Sequence, residues 1–188
     1  MYSTAFLEAW KETGLAEGGY SNHIADRGGE TIWGITERVA RANGYKGAMR
    51  DMPKETARDI AKTQYWDILN LDAVAAIAPS IAKEMFDTLY NGGEPGKWLQ
   101  RALNVFNNQR NHYPDISTDG RIGPMTIAAL KAFVTRRGPE GVRVLFNTLN
   151  ILQGARFVDI AERNETQEAF AFGWLAMRAI FKEKGAQP

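Results

Sequence analysis

Hydrophobic residues recur along this chain mostly at spacings of three and four, the period of one face of an α-helix. Phe6, Leu7, Trp10 and Leu15 form the first such stripe, with Ser3 or Thr4 placed to cap it and Gly18-Gly19 placed to stop it after Glu17. From Tyr20 to Thr36 the period disappears. That segment is polar, glycine-rich and dotted with β-formers, which predicts an irregular loop holding a short hairpin. Helical spacing returns over Glu37–Ala42 and ends at Asn43-Gly44. Pro53 opens another helix, with Ile60, Ala61, Gln64, Tyr65 and Ile68 on one face. Pro79 opens a third, with Ile81, Ala82, Met85, Phe86 and Leu89 turned inward.

The run Asn91-Gly92-Gly93-Glu94-Pro95-Gly96 breaks the pattern and predicts a boundary, with domains over residues 1–93 and 94–188. Beyond it lie a helix over Lys97–Asn107 and a loop carrying Tyr113-Pro114-Asp115 and Asp119-Gly120-Arg121-Ile122-Gly123-Pro124. A helix over Met125–Thr135 follows, then a long one after Gly138-Pro139 with Val142, Leu145, Leu149, Leu152 and Ile160 on its buried face. A last amphipathic helix spans about Gln167–Lys182. The predicted fold class is all-α (α+β in detail), with one small irregular or β-hairpin insertion and a helical C-terminal domain.

Composition narrows the function. With 44% hydrophobic and 24% charged residues the chain is globular, so wholesale disorder is excluded. The absence of cysteine excludes a disulfide scaffold, a thiol nucleophile and thiolate metal sites. A net charge of +1 argues against a nucleic-acid partner. That average conceals a split: residues 1–93 carry 10 Lys/Arg against 13 Asp/Glu, and residues 94–188 carry 13 against 9. Arg178, Lys182 and Lys184 suit a weak contact with an anionic envelope, although cations at a helix end also suit the dipole. The N-terminal residues meet a charge at Glu8 and hold no apolar run of signal-peptide length. The expectation is a soluble, monomeric protein made in the cytoplasm, which something else must release if it acts in the periplasm or cell wall.

The chemistry-bearing residues gather in the segment that breaks the helical period. Glu17, at a helix end, faces the negative pole of the macrodipole, which favours its protonated form and suits a general acid. A frayed, solvated helix end is the plainer reading of the same position. Asp26 follows nine residues on, beside Gly28-Gly29, with Thr31 five further. Two carboxyls and a hydroxyl on one loop could hold an acid, a base and a positioned water, as glycoside hydrolysis needs. Spacing alone does not select that reading. His23 and His112 are the only histidines, so no metal site is expected, and no cofactor.

Taken together, Glu17-Gly18-Gly19-Tyr20, Asp26-Arg27-Gly28-Gly29-Glu30-Thr31 and Trp33-Gly34-Ile35-Thr36 resemble the signature of glycoside hydrolase family 108. Its members are N-acetylmuramidases, many of them phage endolysins. Tyr65-Trp66-Asp67 and the stretch Phe86-Asp87 to Asn91-Gly92-Gly93 resemble the same family, so the likeness covers about residues 4–93. The second half resembles a predicted peptidoglycan-binding domain through Asp119-Gly120-Arg121-Ile122-Gly123-Pro124-Met125-Thr126 and Phe172-Gly173-Trp174-Leu175.

The resemblance implies a lysozyme-like first domain with Glu17 as general acid, and Asp26 and Thr31 beside the attacking water. Gly28 and Gly29 would keep the cleft open. Tyr20, Trp33, Tyr65 and Trp66 could stack on sugar, with a place in the core the equal reading for Trp66. The implied partner is the peptidoglycan glycan strand, cut at the β-1,4 bond of N-acetylmuramic acid. The rivals are a lytic transglycosylase, which needs one glutamate and no water, and a non-catalytic wall-binding or secretion-related module.

Overall fold

Ser3 caps the first helix, α1 (Thr4–Thr13), its hydroxyl accepting from the Phe6 amide at 3.3 Å. The structure is a computed structural model that describes residues 1–13, 19–21 and 29–179. Among these residues the fold is all-α apart from one two-stranded hairpin, as the lysozyme-like expectation requires. The chain divides into two compact units, Met1–Gly92 and Gly93–Pro188.

In the first unit α1 buries Phe6, Ala9, Trp10 and Thr13. Leu7 was expected on this face but is 40% exposed, because one residue turns a helix by 100° and carries it off the stripe. The hairpin strands β1 (Thr31–Ile32) and β2 (Ile35–Thr36) follow, then α2 (Glu37–Ala42), α3 (Lys54–Ala61), α4 (Leu71–Ala75) and α5 (Pro79–Tyr90). Thr36 caps α2 by accepting from the Val39 amide at 3.4 Å, and Asn43 closes it.

Directly after α3 the chain forms a π-helical turn, Lys62–Trp66. Its wider turn shifts the helical phase, so the expected inward row of Gln64, Tyr65 and Ile68 does not form. Ile68 is 65% exposed and Gln64 faces solvent, while Trp66 is fully buried. Trp66 meets Phe6 and Phe86 edge-on, with centroids 5.5 and 5.8 Å apart.

Asp72 ties these parts together. It accepts from Ser3 Oγ at 2.5 Å, from Trp66 Nε1 at 2.9 Å and from Lys62 Nζ at 3.4 Å. One carboxylate therefore joins the start of α1, the π-turn and α4.

The second unit packs α6 (Pro95–Phe106) against α7 (Pro124–Arg163). α7 is broken at Gly138 (φ 59°, ψ −154°), and Pro139, lacking an amide, starts the next run. The predicted break at Gly138-Pro139 is therefore present. Leu130, Phe133, Leu145, Leu149 and Phe157 line the core. α8 (Glu168–Trp174) follows, and Trp174 meets Phe157 and Phe170 at 5.4 and 5.9 Å between centroids.

The 120s loop is pinned from beneath by Gln100, which is 1% exposed. Its amide nitrogen donates to Asp119 Oδ1, Arg121 O and Thr126 Oγ1 at 3.0, 2.9 and 3.2 Å. Its oxygen accepts from the Gly120 amide at 2.7 Å. Arg178 is half-buried and burial lowers its pKa, so it is not fully presented to an envelope; Lys182 and Lys184 lie outside the described residues. No described helix is long and apolar enough to cross a membrane.

Candidate active site

The hairpin organises the described part of the site. Thr31 pairs with Thr36 and Ile32 with Ile35, leaving Trp33 and Gly34 as a two-residue turn. Their φ values of 54° and 71° are both left-handed, as a tight hairpin turn requires. Ile32 and Ile35 are buried, which puts Thr31 and Thr36 on the opposite face. Ser21 extends the ladder: its amide donates to Thr31 O and the Thr31 amide donates back to Ser21 O, both at 2.8 Å. The segment holding Tyr20 is thereby fastened to the strand holding Thr31.

Thr31 Oγ1 is buried and has no hydrogen-bond partner among the described residues. Leaving such a group unmade is costly in a folded protein, so an orphaned hydroxyl marks a place where water or a ligand oxygen can bind. Gly29, with φ 76°, turns the chain into this strand, and a Cβ there would lie 3.5 Å from Glu37 Oε2.

Trp33 is anchored at both ends. Its indole N–H donates to Met52 O at 3.2 Å, and its own carbonyl accepts from Tyr90 Oη at 2.6 Å. Lys54 Nζ lies 5.6 Å from the centre of its ring, and the Arg50 guanidinium lies 5.4 Å from that of Tyr20. Two of the rings expected to stack on sugar, Tyr20 and Trp33, thus already face a cation. Tyr65 sits on the π-turn, 4.6 Å from Tyr90 between centroids. Burial raises its phenol pKa against the opposing pull of Arg38, so the hydroxyl stays protonated and can donate.

The structure therefore gathers Tyr20, Gly29, Thr31 and Trp33 around one hairpin, with Tyr65 linked to it through Tyr90. Glu17, Asp26 and Gly28 lie outside the described residues, as does His23. At Thr13, the last described residue of α1, Oγ1 donates to Asp87 Oδ1 at 3.1 Å and ties this turn of the helix to α5. Among the described residues no group of three or more His, Cys, Asp or Glu could hold a metal. Sequence reasoning missed Tyr90, Met52, Arg50 and Lys54. Phe86 and Tyr90 lie four apart on α5, which is the one local hint that Tyr90 joins the aromatic cluster.

Residues 10–93 match the family model described as Glycosyl hydrolase 108. Residues 94–179 match the one described as Predicted Peptidoglycan domain. Together they support a glycoside hydrolase that acts on peptidoglycan. Ten chains of solved structures match the fold. Among them, the structure of Brucella abortus SagA superposes with a TM-score of 0.67 at 24% identity, covering 91% of this chain and 87% of that one. At that identity the likeness speaks to the fold alone. No curated protein matches the chain.

Proposed function

Because residues 10–93 belong to the glycosyl hydrolase 108 family and residues 94–179 to the predicted peptidoglycan domain, we propose that the protein is an N-acetylmuramidase. It hydrolyses the β-1,4 bond between N-acetylmuramic acid and N-acetylglucosamine and so lyses bacterial cell wall. Glu17 protonates the glycosidic oxygen as the bond to the anomeric carbon of muramic acid breaks. Water adds to that carbon and gives up a proton to Asp26, so each cycle consumes one water and releases a reducing-end muramic acid. Thr31 holds the water. Because the substrate lies outside the cytoplasm, the enzyme acts in the wall, with the second unit holding it there.

The observation that carries the mechanism is the orphaned Thr31 hydroxyl on the strand fastened to Ser21. A hydrolase needs a fixed polar atom for its water, whereas a transglycosylase excludes water from that step.

Mass spectrometry of peptidoglycan digested by wild-type protein and by Glu17→Gln is the test. Reducing-end muramic acid from the wild type, and none from the variant, is expected. A 1,6-anhydro product would replace hydrolysis with transglycosylation. Wall binding without soluble products from the wild type would leave only the binding module.

A further inference from the structure

One part of the first unit runs against its charge. Residues 1–93 are acidic overall, yet two cations stand at the hairpin with no ion-pair partner among the described residues. Arg50 rides on the 3-10 turn Met49–Asp51, and Lys54 is the first residue of α3. Met49 and Met52 anchor this stretch in the core, at 0% and 3% exposure, while Arg50 and Lys54 stay exposed. Between them the Met52 carbonyl accepts the Trp33 indole N–H. The cations are thus carried on a strap bolted to the hairpin turn.

Asp51 and Glu55 are their chain neighbours, but neither forms an ion pair with them. Each cation lies over an aromatic face instead, Arg50 over Tyr20 and Lys54 over Trp33. A ring quadrupole orients a cation without neutralising it or using up its hydrogen-bond donors. Two long side chains that would otherwise wander are held in place, so less freedom is lost when they take up an anion. The aromatic faces they cover are correspondingly less available to stack on a sugar.

We propose that Arg50 and Lys54 bind the carboxylates of the peptide stems attached to muramic acid, so that the site prefers stem-bearing glycan. The proposal rests on the muramidase reading, which puts the glycan strand against this hairpin. Stems supply free carboxylates beside the sugar at regular intervals, and a guanidinium suits a carboxylate through paired hydrogen bonds. Bare glycan also carries a carboxylate, on the lactyl group of muramic acid, but in stem-bearing glycan that group is tied up as an amide.

Three soluble glycans separate these sources: one with native stems, one with its stem carboxyls converted to amides, and one stripped of stems so that the lactyl carboxylates are free. Cleavage efficiency is measured on each, together with binding affinity in the Glu17→Gln background. The wild type is expected to favour native over amidated stems by roughly 2- to 30-fold, the range for two exposed charge pairs. The preference should shrink as salt is raised. R50Q/K54Q should bring the ratio to about one, while R50K/K54R should keep most of it; circular dichroism and thermal melting confirm that both are folded.

An unchanged ratio in R50Q/K54Q overturns the proposal, as does a wild type indifferent to amidation. A loss confined to the stem-stripped glycan overturns it in favour of the lactyl carboxylate. Cleavage with an unchanged ratio removes this inference and keeps the muramidase reading. No cleavage, but a binding preference that R50Q/K54Q abolishes, does the reverse.

Discussion

The phenol of Tyr90, at the end of α5, donates a 2.6 Å hydrogen bond to the carbonyl of Trp33, in the turn of the hairpin. Trp33 has φ 54°, a region a bulky residue rarely adopts, and this bond helps to hold it there. Burial, reinforced by Tyr65, raises the Tyr90 pKa far above its ordinary value, so the donor keeps its proton at any working pH. Tyr90→Phe should cost about 1 kcal/mol of stability, the usual worth of one hydrogen bond. Urea unfolding measures that loss, and hydrolysis should fall with it because the turn loosens. A variant with wild-type stability and activity would show that the bond does not hold the turn.

Gly34 is required for two reasons that act together. Its φ of 71° strains any other residue, and a Cβ there would lie 2.2 Å from Tyr90 Cε1. Gly34→Ala should therefore destabilise the first unit by about 1–3 kcal/mol. If the collision with the ring contributes, Gly34→Ala combined with Tyr90→Ala should cost less than the two changes summed. Additive losses would leave backbone strain as the whole effect.

The parts of this architecture that were legible beforehand rest on local signals. The bounds of α2 follow from the Thr36 cap and the Asn43-Gly44 stop, and the break in α7 follows from Gly138-Pro139. The misplaced residues have non-local causes. The helical period places Gln64 and Ile68 inward because nothing in the sequence reveals the π-turn that shifts their phase. Trp33 reads as a sugar platform, yet its neighbours Met52, Lys54 and Tyr90 come from distant segments, and pairing across 57 residues leaves no period to read. The polar, glycine-rich character of residues 20–36 did point to a short hairpin, because Gly34 readily takes one of its two left-handed turn positions, while Trp33 in the other carries no such signal. The assignments to Glu17, Asp26 and Gly28 rest on the sequence and the family, since these positions lie outside the described residues.

Thr31 offers a test in which stability and activity part company. Its hydroxyl is buried without a partner among the described residues, so Thr31→Val replaces an unsatisfied polar atom with a methyl of nearly the same shape. Folding stability should stay level or rise. Hydrolysis should fall by roughly 2- to 12-fold, the worth of one neutral hydrogen bond to water, and Thr31→Ser should keep it. A stability loss with full activity would make Thr31 a brace of the loop.

Asp72 gives the first unit an acid-sensitive joint. Burial pushes its pKa up, but the Ser3 hydroxyl, the Trp66 indole and Lys62 outweigh this and hold it below its ordinary value of 3.8. The unfolded carboxyl therefore takes up its proton at higher pH than the folded one. Its stabilising contribution is complete above the ordinary value and is lost as pH falls through the lowered one. Lys62 mirrors it: burial lowers its pKa, but Asp67 and Asp72 together raise it above 10.5, so its contribution disappears on the alkaline side. Asp72→Asn should lower the urea midpoint at neutral pH and flatten its decline toward about pH 2. An acid slope identical to wild type would place the sensitivity elsewhere.

Gln100 makes the corresponding test in the second unit. It is buried beneath Asp119-Gly120-Arg121, and all its polar atoms are used: the amide nitrogen on Asp119, Arg121 O and Thr126, the oxygen on the Gly120 N–H. Removing it leaves the Gly120 amide without this partner, at a cost of about 1–3 kcal/mol if it stays buried, whereas the Arg121 carbonyl still accepts from the Gly123 amide at 3.0 Å. Gln100→Ala should therefore release the loop before it unfolds the helices, and hydrogen exchange at the Gly120 amide should accelerate sharply. If this unit holds the enzyme on the wall, the same variant should be retained less by insoluble peptidoglycan while still cleaving soluble glycan fragments. Full retention with a rapidly exchanging Gly120 would show that the loop is scaffolding and that wall contact lies on another face of the unit.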